Sequence, residues 1–561
     1  MKVDLLYFQT SQQSGVQWQL GNIVVLPDTP QTLAPVVDAW IQTTTSDYGL
    51  FWDMRLGLPD PDVIQQTIRL PGDIWHAGLK IGMGGLPKMI DFVNSTWMLN
   101  RDPDSDIMAT SWRMSLRASL IRTDVLKQLG GIDSKFDTLD GAGLDMGHRY
   151  ITRGAFVRHA PILFSGKYGS HNSLPSLTVY DELRFIEQHY GQRWVIWSLW
   201  RSVFNGYPIL RLIRAYLRLR SEGVRAIPPP YNRGTLPDNH FILNEWHDKV
   251  TILIPTLERY PYLRNELKQL NNQTVRPREI IIIDQTPPEE RNTNLAIEFQ
   301  DLPLRIFYQN IFGQCTAWNE GLMASTGEFV LFLGDDADQI SPTFLEDFLR
   351  TFMAYQADMV ASVVEEVGAG PPPPSCTFLR ISDIFPITMV RRDLLQKTGL
   401  MDYAYDRGIR ADGDLGMRCY LSGALMVLNP DIRLLHHRAP TGGLRKHKAR
   451  VVTYSSSRRS LIQRHLPSTT EIYLTKRYYN PHQVWEMLWL QTLGTFSIRA
   501  GIFKNIAKFI ISLFFLPNTL WHIGKNYRQA VCMMRDFPKI PMLDSLEHPK
   551  DDSRLGSHVH E

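Results

Sequence analysis

The chain has 561 residues, 43% hydrophobic and 21% charged, a composition that suits roughly two to four globular domains and excludes disordered and collagen-like polymers. Its 60 Lys and Arg against 57 Asp and Glu leave a net charge of +3, too little for a chain-wide polyelectrolyte, so nucleic acid is not expected as a partner. Cys315, Cys376, Cys419 and Cys532 form no C-x-x-C pair, which excludes a zinc ribbon and argues against a disulfide scaffold.

Met1 to Thr10 carries one Lys and soon turns polar, unlike a secretion signal. The strongest apolar run, Phe509 to Pro517, is about half of what spans a bilayer. These features predict a cytoplasmic protein, with a place against the inner face of the plasma membrane left open by the tails described below.

An internal repeat organises the chain. Ala118–Pro161 overlays Ile387–Pro430 without gaps at a constant offset of 269, which sets Arg122 on Arg391, Asp124 on Asp393, Gly130 on Gly399 and Asp133 on Asp402. The register continues through Asp137 and Asp406, Asp145 and Asp414, Arg149 and Arg418, and Gly154 and Gly423. Matched glycines and aspartates at so long a period predict a tandem domain pair rather than a solenoid. Between the copies, Ile227-Pro-Pro-Pro-Tyr-Asn-Arg-Gly-Thr-Leu-Pro reads as a linker.

Each copy ends in a basic, aromatic-rich stretch. Trp194–Arg220 interleaves Trp197, Trp200 and Leu210 with arginines and contains no acid, and Gly501–Met534 likewise sets Phe503, Phe509 and Trp521 beside Lys504, Lys525 and Arg528. Such helices can lie in a membrane interface or pack on the globular domains with their basic face in water. Pro517 should kink or end a helix, and Leu543–Glu561 reads as a polar end.

In the second copy, Val250-Thr-Ile-Leu-Ile-Pro, Glu279–Asp284 and Phe329-Val-Leu-Phe-Leu read as buried strands, with helices over Tyr262–Asn272 and Thr316–Ser325. Uniformly apolar strands predict an α/β fold whose mostly parallel sheet is flanked by helices, with ligands at the carboxyl ends of the strands. The polar residues sit there: Pro255-Thr256-Leu257-Glu258-Arg259, Asp284-Gln285-Thr286, and Gly334-Asp335-Asp336-Ala337-Asp338. Three carboxylates in four positions call for a neutralising cation, Mg²⁺ or Mn²⁺; capping of a helix near Ser341-Pro342 is the other reading.

These motifs, in this order and spacing, resemble a family 2 glycosyltransferase of the GT-A fold over roughly residues 248–440. The resemblance implies a donor loop at Pro255, Thr256, Glu258 and Arg259, a base-binding Asp284, and a metal motif at Asp335, Asp336 and Asp338. Gly313–Gly327, with Ala-Trp-Asn319-Glu-Gly, is similar to the family's Ala-Arg-Asn-x-Gly helix start, which places Asn319 and Asp335 with the donor. Arg410-Ala-Asp412-Gly-Asp414-Leu-Gly-Met-Arg418 resembles the family's Glu-Asp-x-Asp-Leu-x-x-Arg helix start, implying Asp412 as catalytic base and Asp414 at the acceptor or helix start. Leu435-His436-His437 is similar to the late histidine that joins the metal, with His436 first and His437 second.

The chain departs from the pattern at Ala411, Gly334 and Trp318, where glutamate, aspartate and arginine are usual. Arg259, or the Arg445, Lys446 and Lys448 group, could supply the missing cation; Arg445–Arg450 also reads as a solvated face. In the first copy Gly143 stands where Asp412 would, and Gly49-Leu-Phe-Trp-Asp53-Met54-Arg55 is similar to the metal strand with Met and Arg replacing the acidic pair. The expected layout is therefore a degenerate GT-A-like domain (1–190), a basic amphipathic segment (191–226), a linker (227–247), a catalytic domain (248–465), a helical region (466–540) and a polar tail (541–561). The expected activity is metal-dependent, inverting sugar transfer from a nucleotide-sugar to a glycan or lipid-linked hydroxyl in surface polysaccharide or glycolipid assembly, or else an inactive scaffold or glycan-binding protein. A nucleotidyltransferase would want a Gly-rich loop and a lysine after the first strand, and Pro255-Thr-Leu-Glu-Arg offers neither.

Overall fold

A computed structural model describes residues 1–8, 17–85, 88–164, 166, 177–234, 242–443 and 457–543. The Arg445, Lys446 and Lys448 group and the end of the chain from 544 lie outside the described residues.

Two sheets carry the molecule. The N-terminal sheet holds β1 (Val3–Phe8), β2 (Ile23–Leu26), β3 (Tyr48–Asp53), β4 (Ile74–His76), β5 (Ala109–Thr110), β6 (Ala118–Arg122) and β7 (Val157–His159), in the order β2-β1-β3-β6-β4-β7-β5. The C-terminal sheet holds β8 (Val250–Thr256), β9 (Glu279–Asp284), β10 (Leu304–Tyr308), β11 (Phe329–Phe332), β12 (Ala337–Asp338), β13 (Met359–Glu366), β14 (Arg380–Ile381), β15 (Thr388–Arg391) and β16 (Met426–His436). Its order is β10-β9-β8-β11-β15-β13-β16-β12, with β14 also on β16.

Both sheets are mixed: most strands share one direction, as expected, and reversed strands interrupt them, β6 and β5 in the first sheet and β15, β12 and β14 in the second. In the C-terminal sheet β10, β9, β8 and β11 run parallel, β15 then runs antiparallel to both β11 and β13, and β12 and β14 are antiparallel to β16. The apolar runs do not show the reversals, because burial on both faces, not strand direction, makes a strand uniformly hydrophobic; β8, β9 and β11 are buried almost throughout.

Strand for strand, β2-β1-β3-β6-β4-β7-β5 follows the order β9-β8-β11-β15-β13-β16-β14, with matching parallel and antiparallel senses. Details agree too. Arg149 reaches Asp145 at 3.3 Å and the Leu129, Gly130 and Gly131 carbonyls. At the offset of 269, Arg418 reaches Asp414 at 2.9 Å and the Thr398 and Leu400 carbonyls. Each pair is buried, and each arginine, in the last turn of its own helix, ties that helix to the turn after another.

The halves pack through reciprocal contacts. Gly154 (φ +97°) lies so close to the Leu379 carbonyl that a Cβ would come within 2.7 Å, and Gly423 (φ +91°) so close to the Met108 carbonyl that a Cβ would come within 2.3 Å. Only glycine satisfies both the left-handed backbone and the approach. Arg158 adds hydrogen bonds to the Gly423 and Ala424 carbonyls. The described start of the stretch read as a linker, 227–234, is packed: Tyr231 donates to Asp124, and the Arg233 guanidinium pairs with Asp73 and stacks 3.9 Å over Phe156.

Helices follow each sheet. Val179–Tyr190, Gln192–Phe204 and Ile209–Ser221 follow the first, and Thr469–Tyr478, Pro481–Gly494, Ile502–Phe514 and Leu516–Asp536 the second. The last two are bent by 61° at their junction, two residues before Pro517, which takes an early position in the final helix where its missing N–H costs nothing. No single described helix is long and apolar enough to cross a membrane.

Candidate active site

The site forms where β8, β9 and β11 end. Thr256 closes β8, and its hydroxyl donates to Asp335 Oδ2 at 3.0 Å. The chain then turns through Glu258 at φ +59°, a left-handed conformation fixed by its N–H donating to Thr286 Oγ1 at 3.0 Å. Arg259 follows, and its Nη1 lies 2.8 Å from Asp335 Oδ1 and 3.8 Å from Asp336 Oδ2. Its Nε and Nη2 donate to the Thr441 and Gly442 carbonyls, so the loop after β16 holds the guanidinium from behind. Gly442 and Gly443, at φ +69° and +54°, allow that approach. The sequence offered Arg259 as a stand-in cation for Trp318, but not the glycine pair that clamps it.

Asp336 is buried, and its two oxygens are divided. Oδ1 lies 2.8 Å from His436 Nε2, and Oδ2 accepts the Ala439 N–H at 2.7 Å. Burial alone would raise this carboxyl; the His436 and Ala439 bonds hold it down at about 2. Asp335 goes the other way, because its burial outweighs Arg259 and lifts it above the usual carboxylate range. Beneath both, Glu266 on the helix Tyr260–Leu270 is fully buried, and burial with the Asp335 charge pushes its carboxyl well up.

Asp338 belongs to a separate pair. It lies 2.8 Å from His437 Nε2 and accepts from Gln269, and it is held at about 2 against the desolvation that would raise it. The pairing of β12 with β16 explains the split, since it sets Ala337 opposite His436 and Asp338 opposite Leu435. The helix-capping alternative fails for all three aspartates: the next helix, Phe344–Tyr355, begins after Thr343, and Asp335, Asp336 and Asp338 are engaged elsewhere.

A cavity of about 170 Å³ opens over this cluster, lined among others by Thr256, Arg259, Trp318, Asp335, Asp336 and His436. Pro255, Gln285 and Gln314 also line it. Gln285 and Gln314 carried no role in the sequence; each directly follows a singled-out feature, the end of β9 and Gly313, and that adjacency was the available signal. Asp284 closes β9 and is buried, accepting from Tyr260 at 2.6 Å and from the Thr286 N–H. It borders the donor loop without lining the cavity.

Asn319 lies outside the cavity as well. Its amide donates to the Met401 carbonyl at 2.9 Å and accepts the Met401 N–H at 2.8 Å, a fully buried clamp between the helix Gln314–Ala324 and the following domain wall. Asp414 is also structural in its contacts, bonded to Arg418 and to Tyr478 at 2.7 Å with no exposed surface. Asp412 stands in the first turn of the helix Ala411–Leu421, exposed to solvent, with its carboxylate accepting the Gly413 N–H at 2.8 Å. The protein around it disfavours the charged form and raises its carboxyl, against the Gly413 bond and Arg410, while water still reaches it. It does not line the cavity. Asp406, one turn of chain earlier, accepts from Thr316 N–H and hydroxyl at 2.8 and 2.7 Å and so fastens the approach to Asp412 onto the helix that lines the cavity.

For a divalent cation the donor set is partial. Asp336 Oδ1 and His436 Nε2 face the cavity side by side, two ligands to which an oxygen-preferring ion could add phosphate oxygens and water. Among the described residues no group of three His, Cys, Asp or Glu side chains is arranged to hold a metal.

Residues 251–377 match the family described as Glycosyl transferase family 2. The match takes in the donor loop, Asp284, Asn319 and all three aspartates of the Asp335–Asp338 stretch. Two curated relatives align over the same kind of length. The glycosyltransferase GlyA of Streptococcus pneumoniae serotype 4 (strain ATCC BAA-334 / TIGR4) is 30% identical over 114 residues, 20% of this chain and 16% of that protein. EpsH of Bacillus subtilis (strain 168) is 32% identical over 104 residues, 18% of this chain and 30% of that protein. The chain therefore spans less than a third of either relative. Among solved structures, S. aureus TarS 1-349 in complex with UDP-GlcNAc covers 51% of this chain and 92% of its own at 16% identity, with a TM-score of 0.34.

Proposed function

We propose that the chain is a glycosyltransferase, moving a sugar from a nucleotide-sugar donor to a hydroxyl acceptor with inversion. The observation that carries this reading is the cavity in which Thr256, Arg259, Asp335, Asp336 and His436 meet at the strand ends of the family 2 segment. Asp335 and the donor loop would hold the nucleoside, and Arg259 the diphosphate. Asp336 and His436 would hold a divalent cation, Mn²⁺ or Mg²⁺, which when bound stabilises the departing diphosphate.

The remaining chemistry falls to the chain's own side chains. Asp412 takes the proton of the acceptor hydroxyl as that oxygen attacks the anomeric carbon, and the bond from that carbon to the diphosphate oxygen breaks. Asp412 does not line the cavity, so in this reading a bound acceptor would reach from the donor to it, and the acceptor is read as a glycan or a lipid-linked sugar in surface polysaccharide or glycolipid assembly. The N-terminal half is read as a degenerate copy of the catalytic domain, supported by its identical strand order and the shared Asp145–Arg149 and Asp414–Arg418 networks.

A catalytically inactive scaffold is the second reading, favoured by the Asp335–Arg259 pair, in which the chain's own guanidinium neutralises one carboxylate of the site. Release of nucleoside diphosphate from UDP- and GDP-sugars in the presence of Mn²⁺ and candidate acceptors decides between them. The transferase reading expects acceptor-dependent release that Asp412→Asn lowers by about 10²–10⁴-fold while donor binding survives. No release by the natural chain with any donor would favour the scaffold.

A further inference from the structure

The exposed apolar surface of this protein is concentrated on the helices after each sheet, and those helices meet. Arg201, on Gln192–Phe204, forms a buried pair with Glu486 on Pro481–Gly494. The residues just before them in sequence, Trp200 and Trp485, are 46% and 56% exposed. A row of ring contacts continues along each helix from that junction, Trp197 to Trp200 to Phe204 on one side and Trp485 to Trp489 on the other. Phe496 carries the surface on to Phe509 of the helix Ile502–Phe514.

On that outer helix Phe503 and Phe514 are 84% and 80% exposed, and on Ile209–Ser221 Leu210 is 71% exposed. Side chains this apolar would be in the core of a protein that met only water. Over Trp194–Arg220 and Gly501–Met534 the charge has one sign: Arg211, Arg214, Arg220, Lys504, Lys525 and Arg528 are all exposed and neither stretch contains an acid, while the acids elsewhere on these helices are paired, Glu486 with Arg201 in the interior and Asp536 with Arg535 at the last helix end. Lys508, by contrast, is turned inward onto the Ser460 and Gln463 carbonyls, which leaves the apolar stripe of its helix free of charge.

We propose that the two sets of helices together form one docking surface for a lipid bilayer carrying anionic headgroups, lying in its plane. A protein partner would explain the apolar residues but not the flanking run of cations without a single acid, whereas an anionic interface matches both. The reciprocal packing of the halves supports a shared face, because it brings the helices after each sheet together at one junction. No single helix crosses the membrane in this proposal, in keeping with the 61° bend after Phe514.

Co-sedimentation of the full chain with vesicles of phosphatidylcholine, alone or mixed with phosphatidylglycerol, tests it. The proposal expects binding to the mixed vesicles that weakens as salt rises. Phe503→Ser with Phe514→Ser should weaken binding roughly tenfold or more, and Arg214→Glu with Lys504→Glu should weaken it on mixed vesicles while leaving the fold intact. No binding by the natural chain, binding indifferent to both double variants, or a solution dimer that Phe503→Ser with Phe514→Ser dissolves would each overturn it. Vesicle binding needs no nucleotide-sugar, so its failure leaves the proposed transferase untouched, and loss of transferase activity leaves this surface untouched.

Discussion

The two sheets end in the same place with opposite electrostatics. Hydrogen-bond register sets Tyr48 opposite Arg122 and Phe329 opposite Arg391, so Asp53, Met54 and Arg55 correspond to Gly334, Asp335 and Asp336. In the N-terminal half Arg55 folds back on Asp53 at 2.5 Å, and Arg117 binds the same carboxylate at 2.8 Å. Its charge is balanced permanently by the chain itself. In the C-terminal half Arg259 arrives from another loop and takes Asp335, while Asp336 keeps an oxygen beside His436 at the wall of a cavity. Under the proposed function, a guanidinium at the position of Asp336 would repel the cation that Asp336 is proposed to hold.

The largest expected effect breaks this contrast outright. Asp336→Asn should cut nucleoside diphosphate release by about 10²–10³-fold with little change in thermal midpoint, whereas Asp53→Asn should leave turnover intact and cost about 1–3 kcal/mol of stability, because buried Arg117 then keeps only the looser Asp140 contact at 3.7 Å. A turnover loss from Asp53→Asn would show that the first half takes part in the reaction.

The repeated network comes next. Asp414→Asn should destabilise by about 3 kcal/mol or more in chemical denaturation, since it strands Arg418 in the interior. Asp145→Asn should do the same through Arg149. Unequal costs for the two would set the halves apart in stability as they are in charge.

A smaller effect separates the halves by pH. In the N-terminal half burial lifts Asp140 to about 6, with Arg117 pulling the other way at 3.7 Å. A carboxyl raised in the folded state costs stability as pH climbs from its unfolded value near 3.8 through about 6. Asp140→Asn should therefore stabilise the protein at neutral pH by about 1–3 kcal/mol and flatten the stability profile over that window. Asp336, depressed to about 2, gives the reverse sign: its contribution is present above about 3.8 and fades as pH falls toward 2.

Much of this was legible in the sequence. Strands β8, β9 and β11 announced themselves because they are short apolar runs closed by polar residues, and the matched register at offset 269 was legible because buried Asp–Arg pairs and left-handed glycines leave few residue choices. Strand direction was not legible, since β15 (Thr388–Arg391) is buried like the parallel strands beside it and burial carries no sign of direction. Nor were the partners of Asn319 and Asp338: the first is spent on Met401 and the second on His437, contacts set by chain segments about 80 to 100 residues away that no local pattern encodes. Arg259 was legible as a cation, but its clamp depends on Gly442 and Gly443 closing from beyond β16.

The most direct test is the thermal midpoint of the full chain with UDP- and GDP-sugars, each measured with and without Mn²⁺, in the natural protein and in Asp336→Asn. The account predicts that at least one donor raises the midpoint, that the rise requires the ion, and that Asp336→Asn abolishes it. A donor that stabilises both proteins equally without Mn²⁺, or no response to any donor, would contradict it.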